Sequence, residues 1–128
     1  MQLDYWRQQL ANPPALLQLP TDFSRPAMQT FRGARHAFSL SPGLSNELKR
    51  LSRQANTTLF ITLLAAFQVL LYRYTGQSDI TVASLIANRH RPEVAALIGL
   101  FVNNLVFRTQ VSLSSVFGTC CIECMKPA

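Results

Sequence analysis

The sequence has little charge. Only 14% of its 128 residues are Asp, Glu, Lys or Arg, against about 25% in an average soluble domain. The acidic residues number six, and no two of them stand close together along the chain. A catalytic carboxylate pair therefore has no support from the sequence. The scarcity of charge also predicts that another protein surface covers part of this one.

Patterns typical of several other classes are missing. The uncharged run over 59–71 is shorter than the ~18 apolar residues of a spanning segment, so we expect a buried core helix and no membrane partner. The N-terminus lacks the charged and apolar regions of a secretion signal. The five glycines are dispersed, which excludes a Gly-rich phosphate loop. Although the net charge is +6, the basic residues are scattered, so we expect no nucleic-acid partner.

Cysteine is absent until the last nine residues, which hold Cys120, Cys121 and Cys124. An odd, clustered set does not describe a disulfide framework, and a Cys-free body fits a reducing cytoplasm, where we expect the protein. Cys121 and Cys124 have the spacing of half a zinc site or a redox pair. The tail holds no His, so we expect no metal site and a disordered tail over 112–128 that stays outside the core.

Periodicity and turn residues predict a mixed α/β (α+β) chain in which helices pack on a sheet. We expect a helix end and an extended linker over 1–33, a folded body over 34–111, and the tail. The predicted segments, in order, are a helix end (5–10), a linker (13–32), a strand (34–40), an amphipathic helix (41–55), a buried helix (58–74), a strand (80–87), a short helix (92–97) and a strand (100–111).

Residues at the predicted helix ends support this division. Ser41 followed by Pro42 is typical of an N-cap with proline in the first turn. Thr57 can cap the helix over 58–74, and Gly76 is placed to end it. That helix is apolar nearly all round, so we expect it to be the central helix and the most buried element of the chain.

The two histidines have ordinary explanations. His36 shares a face of the predicted strand over 34–40 with Phe38, so we expect it to be packed there. His90 lies between Arg89 and Arg91, whose charges disfavour the imidazolium and would suit a neutral base. A solvated loop histidine is the favoured interpretation. No set of nucleophile, base and acid can be identified from spacing.

Several stretches, in this order, resemble the condensation domain of nonribosomal peptide synthetases. One, over 98–108, resembles the motif Ile-Gly-x-Phe-Val-Asn-Thr-x-x-x-Arg, with Asn104 in place of Thr. The others include Tyr5-Trp6-Arg7-Gln8-Gln9-Leu10, Phe31-Arg32-Gly33-Ala34-Arg35, Tyr72-Arg73-Tyr74-Thr75-Gly76-Gln77-Ser78-Asp79-Ile80 and Ile86-Ala87-Asn88-Arg89.

The resemblance implies a chloramphenicol-acetyltransferase-like fold, whose two halves enclose a tunnel. This chain resembles the linker out of the first half and the opening part of the second. The family's His-His-x-x-x-Asp-Gly motif is absent, so no catalytic residue is predicted. Asn103 and Arg108 are the polar members of the matched motif, and the resemblance suggests that they contact substrate or line the tunnel. A structural role is equally open: Asn103 bonds backbone near a bend, and Arg108 pairs across the sheet.

The reaction implied by the resemblance is amide formation between two thioesters carried on phosphopantetheine arms. The implied partners are peptidyl or acyl carrier domains, the remaining half of the condensation domain and the adenylation domain of the same synthetase. No cofactor is expected to bind directly. Because 112–128 lacks the family's next motif, a split domain, a truncated gene, a frameshift and a mispredicted boundary all stay open. We expect no condensation by the isolated chain; the alternatives are a carrier-binding scaffold without chemistry and a non-functional gene product.

Overall fold

The computed structural model describes residues 2–14, 16–89 and 91–112. These form helices α1 (Gln2–Gln9), α2 (Pro42–Gln54), α3 (Leu59–Thr75) and α4 (Pro92–Ala95), and strands β1 (Asp79–Ile86) and β2 (Asn103–Gln110). The mixture of helix and strand agrees with the predicted α/β (α+β) class. The short helix α4 ends two residues earlier than the sequence suggested.

The two strands pair antiparallel, with Asp79 opposite Gln110 and Ile86 opposite Asn103. Directly opposite residues point to the same face of a sheet. The face that carries Ile80 packs against α3, and the core there consists of Ala65, Leu71, Ile80 and Val111. Thr109, which lies opposite Ile80, is also buried. One face of the sheet therefore holds the core and leaves the other face for the N-terminal segment.

The helix ends follow local capping chemistry. The Ser41 side chain accepts a hydrogen bond from the backbone N–H of Leu44 at 3.3 Å, as predicted, and Gly76 ends α3 in the left-handed region at φ 68°. The prediction that Thr57 caps α3 is wrong. The N–H of Thr57 still bonds the Ser52 carbonyl, so Thr57 belongs to the closing turn of α2. Thr58 is the cap instead, because its side chain accepts from Ile61.

A buried polar contact joins α2 to α3. The Ser52 and Thr62 hydroxyl groups lie 2.8 Å apart, and both residues are buried. Each hydroxyl has one hydrogen, so one member of the pair donates to the other. The second then donates to a carbonyl of its own helix turn, Leu48 for Ser52 or Thr58 for Thr62. Since both hydroxyls have a partner, the contact fixes how the two helices meet without leaving either of them unsatisfied.

Helix α3 has more buried residues than any other described helix, as predicted, but it is not buried on every side. The helix does supply much of the core, but α2 and the two-stranded sheet cover only one side of it. The opposite side exposes a row of apolar side chains, named here the outer face of α3: Leu59, Leu63, Phe67, Leu70 and Tyr74, which are 36% to 63% exposed. Such a contiguous apolar row is typical of a surface that another protein segment covers.

The length and apolar character of the helices also bear on whether one of them could cross a membrane. Within the part of the chain that the structure describes, no single helix is long and apolar enough to cross a membrane. The pair α2 and α3 meets the length and composition requirements only together, across a bend of 102°.

The strand predicted over 34–40 is not present. This segment forms neither helix nor strand, and His36 and Phe38 are exposed rather than packed. A strand needs a neighbour to satisfy its backbone groups. Here β1 and β2 pair with each other, and within the described ranges no third strand lies beside them. The alternating pattern of the sequence therefore had no partner to make it a strand.

The Pro-rich linker contacts the body of the fold beside Gln77. The Gln77 side-chain carbonyl accepts a hydrogen bond from the backbone N–H of Gln18 at 2.8 Å, and the Gln77 amide donates to the Leu16 carbonyl at 3.5 Å. Leu17 packs against the core between these contacts. Of the linker leucines, Leu17 thus helps to hold the linker on the surface of the fold, whereas Leu16 and Leu19 are exposed.

Candidate functional site

Arg108 occupies the sheet face that points away from α3, directly opposite Thr81. On the same face, two residues before Thr81, lies Asp79. The Nε of Arg108 donates to Oδ1 of Asp79 at 3.0 Å, and Nη2 donates to Oδ2 at 2.7 Å. Both side chains are about four-fifths buried. The prediction that Arg108 can pair across the sheet is confirmed, and Asp79 is the partner.

The same guanidinium also donates hydrogen bonds to backbone carbonyls at the C-terminal end of α1. Nη1 of Arg108 donates to the carbonyls of Gln9 at 2.9 Å and Ala11 at 2.7 Å. Nη2 donates to the carbonyl of Asn12 at 2.9 Å. The last carbonyls of a helix have no partner within the helix, and a cation is favourable there. Asn12, three residues beyond α1, adopts a left-handed conformation at φ 48°, and the chain turns there beside the guanidinium.

The electrostatics of this pair fix its charge state. The hydrogen bond from Arg108 to Asp79 raises the pKa of Arg108, and the negative charge of Asp79 adds to that effect. Burial lowers the pKa of Arg108, but this effect is smaller than the increase caused by Asp79. Arg108 is therefore a permanent cation that can hold an oxygen atom but cannot accept a proton from a substrate amine.

A cleft of about 300 Å³ lies between this pair and the linker. One wall is apolar and comes from the linker, and the other carries the ion pair. The lining residues are Leu10, Pro13, Pro14, Leu16, Leu17, Asp79, Thr81 and Arg108. The cleft can hold a small apolar group. The N–H groups of Arg108 that line it point to the end of α1 and to Asp79, not into the cleft.

Asn103, the other predicted site residue, lies elsewhere. It begins β2 and is exposed, and its side-chain carbonyl accepts the N–H of Asn104 at 2.8 Å. Arg108 lies five positions further along the strand, ~17 Å away, and the two side chains point to opposite faces of the sheet. The described residues thus do not bring Asn103 and Arg108 together into one site.

Arg89 organises a second cluster that the sequence did not predict. Its Nη1 donates to the carbonyls of Val94 and Leu97, each at 2.7 Å, and its Nη2 donates to Gly99 at 3.1 Å. Its guanidinium also lies 4.4 Å from the centre of the Phe101 ring, a favourable cation–π distance. The available signal was only the position of Arg89 in the family-like string over 86–89.

This cluster shapes the segment that leads into β2. The carbonyls bonded by Arg89 hold the chain between α4 and β2 in place, and the side chains between them point outward. Ile98 and Leu100 are almost completely exposed. An arginine that satisfies several carbonyls at once can replace a regular helix or strand as the support for a loop.

The remaining sequence candidates do not form a site in the described residues. His36 is exposed on the segment without secondary structure. His90, Cys120, Cys121 and Cys124 lie outside the described residues, as does the predicted tail from 113 onward. Within 2–14, 16–89 and 91–112, no three His, Cys, Asp or Glu side chains come together as metal ligands would.

Comparison with known proteins gives a consistent result. The family model described as "Condensation domain" matches residues 1–126. A linear gramicidin synthase from Brevibacillus parabrevis is 53% identical over 116 residues, which cover 91% of this chain and 2% of that protein. Chondramide synthase from Chondromyces crocatus is 49% identical over 117 residues, which cover 91% of this chain and 3% of that protein. The chain thus spans only a small part of these curated relatives.

Solved structures match along nearly the whole chain. A four-domain nonribosomal peptide synthetase bound to AMP and glycine superposes with a TM-score of 0.91 at 25% identity, over 95% of this chain and 9% of that one. The first condensation domain of the CDA synthetase shows the fold alone, with a TM-score of 0.76 at 19% identity over 94% of this chain and 25% of that one. These matches confirm the predicted fold class.

Proposed function

We propose, since the chain belongs to the condensation-domain family, that it forms part of a domain that joins two carrier-bound thioesters through an amide bond. The predicted resemblance to nonribosomal peptide synthetases is confirmed by the family match over 1–126 and by the similarity to linear gramicidin synthase. The amine of one aminoacyl thioester attacks the carbonyl carbon of the other thioester. The thiol of the second phosphopantetheine arm leaves, and the attacking nitrogen loses a proton.

The outer face of α3 is the observation that supports this role best. Its apolar side chains are partly exposed, and they belong to a helix that is apolar nearly all round. The chain corresponds to 25% of the solved condensation domain of the CDA synthetase, so the rest of such a domain is available to cover that face. Burial of apolar surface at ~25 cal/mol per Å² would then hold the parts together.

The chain's own residues act in this proposal by support rather than by proton transfer. Arg108 is a permanent cation, and His36 lies exposed on a segment without a strand. Asn103 stays the predicted tunnel-lining residue, because its side chain is exposed at the start of β2. The catalytic base then comes from outside this chain, which is inactive alone.

The proposed partners follow from the chemistry of the reaction. Carrier domains present both substrates on phosphopantetheine, so this chain itself binds no cofactor. The remaining part of the condensation domain supplies the opposite wall, and an adenylation domain of the same synthetase supplies the activated amino acid. Such an assembly works in the cytoplasm, where activated amino acids are made.

A carrier-binding scaffold is the second candidate function. The outward side of α2 carries Lys49, Arg50 and Arg53, all of them exposed. Basic side chains at a surface favour association with an acidic partner, and this role needs no catalytic residue in the chain. Binding of a carrier domain that weakens steeply with salt would favour this candidate.

The test reconstitutes a domain from two parts. The chain is mixed with the remaining part of a condensation domain from linear gramicidin synthase, and two loaded carrier domains are added. Mass spectrometry then follows the dipeptidyl carrier. We expect a stable complex and product formation, and we expect Leu63→Asp with Phe67→Asp to abolish both.

The matched control keeps the same two positions apolar, as Leu63→Met with Phe67→Leu, and should retain the complex. A complex that tolerates the two aspartates would contradict the role given to the outer face of α3. A stable complex without product, in the unchanged chain, would contradict amide formation and leave the scaffold function.

A further inference from the structure

The donors of Arg108 are fully committed. A guanidinium has five N–H groups. One, on Nε, is directed to the Asp79 carboxylate, and the two on Nη1 are directed to the carbonyls of Gln9 and Ala11. The two on Nη2 are directed to Asn12 and again to Asp79. No N–H of Arg108 is left for a substrate oxygen unless one of these contacts is broken.

Helix α1 depends on these contacts for its position. The structure places no fully buried side chain between Leu3 and Gln9 of this helix. Its attachment to the sheet therefore rests on few groups: the carbonyls held by Arg108, and the Gln9 side-chain amide, which donates to the Arg108 carbonyl at 3.5 Å. The bonded carbonyls lie 96 to 99 residues from Arg108 in sequence, so the contact joins the two ends of the described chain.

We propose that Arg108 is a positioning residue that fastens the C-terminal end of α1 to the sheet and does not bind substrate. Asp79 orients the guanidinium from the neighbouring strand, and the three carbonyls complete its surroundings. Loss of Arg108 releases α1 and opens the cleft beside Leu10 and Leu17. The core between α3 and the sheet stays folded, because Ile80 and Ala65 do not touch this side of the sheet.

The experiment measures hydrogen exchange by mass spectrometry on the full 128-residue chain, with peptides from α1 and from α3 compared in each variant. For Arg108→Ala, we expect amides of α1 to exchange faster by on the order of tenfold or more, the effect of losing charge-assisted hydrogen bonds. We expect α3 amides to keep their protection. Arg108→Lys should behave like Arg108→Ala, because one ammonium cannot reach both Asp79 and the carbonyls.

Two further measurements separate release of α1 from general loss of structure. Trp6 is the only tryptophan, and its fluorescence anisotropy should fall in Arg108→Ala. Methylguanidinium, at a concentration that does not denature, should restore both anisotropy and α1 protection by refilling the site. The milder variant Asp79→Asn keeps the carbonyl contacts and should release α1 only partly.

Arg73→Ala, which removes an exposed arginine of α3, is the matched control and should change neither signal. Unchanged α1 exchange in Arg108→Ala would overturn the proposal. Equal loss of protection in α1 and α3 would overturn it too, since Arg108 would then support the whole core. These signals come from the chain alone, so they can fail while amide formation by the reconstituted domain succeeds, and the reverse.

Discussion

Ile80 is the residue on which the packing of α3 against the sheet depends most, because its side chain is fully buried in the core cluster. Replacing it by Ala removes three carbon groups from that core. At ~0.8 kcal/mol for each buried CH₂, the transfer cost alone is ~2.4 kcal/mol. Incomplete relaxation around the cavity adds to it, so we expect a loss of about 3 kcal/mol in the free energy of unfolding.

The assay is urea unfolding of Ile80→Ala, followed by far-UV circular dichroism. The matched control is Leu85→Ala, because Leu85 lies on the same strand but is 71% exposed on the other face. We expect that control to lose no more than about 0.5 kcal/mol. Equal losses in the two variants would refute the assignment of the core to the Ile80 face of the sheet.

The other predictions concern the helix crossing, α3 and the loop before β2. Ser52→Ala should lower the free energy of unfolding by about 1 kcal/mol. Thr62→Val should cost less in the Ser52→Ala background than in the unchanged chain, because the contact between the two hydroxyls is already lost. Fully additive losses in a urea double-mutant cycle would contradict the contact. Ala65→Asp should abolish the helical circular dichroism signal by burying an unpaired charge, whereas Phe67→Asp should retain that signal. Loss of the signal in Phe67→Asp and its retention in Ala65→Asp would refute the assignment of Phe67 to the exposed outer face of α3. Arg89→Ala should speed hydrogen exchange between α4 and β2 without changing β1, and unchanged exchange there would show that the arginine does not hold the loop.

The features that could be predicted from sequence are those set by neighbouring residues. Ser41 with Pro42, and Gly76, mark helix ends through contacts within a few residues, and the structure has them where predicted. Alternation located β1 and β2 to within three residues at each end. The error at Thr57 was also local: two threonines in succession can both cap, and the closing turn of α2 takes the first.

The features that could not be predicted depend on which surfaces meet. Alternation over 34–40 fits a strand, but only a neighbouring strand edge would make it one. The apolar content of α3 predicts that its surface is covered. It does not show whether this chain or another one covers each side of the helix. At the site, the sequence predicts pairing of Arg108 across the sheet as one of two roles. Its bonds to the carbonyls of Gln9 and Asn12 cannot be predicted, because nothing in the sequence links residues that far apart.

The most direct test of the proposed role is whether the isolated chain makes an amide bond. Purified chain is mixed with donor-loaded and acceptor-loaded carrier domains, and the dipeptidyl carrier is followed by mass spectrometry. Positioning can supply ~7–11 kcal/mol of a barrier, and a general base contributes roughly 10²–10⁴-fold. Without the opposite wall and the base, we predict no product above the control that lacks the chain. Product above that control, lost in His90→Ala, would contradict a purely supporting role and identify His90 as the base.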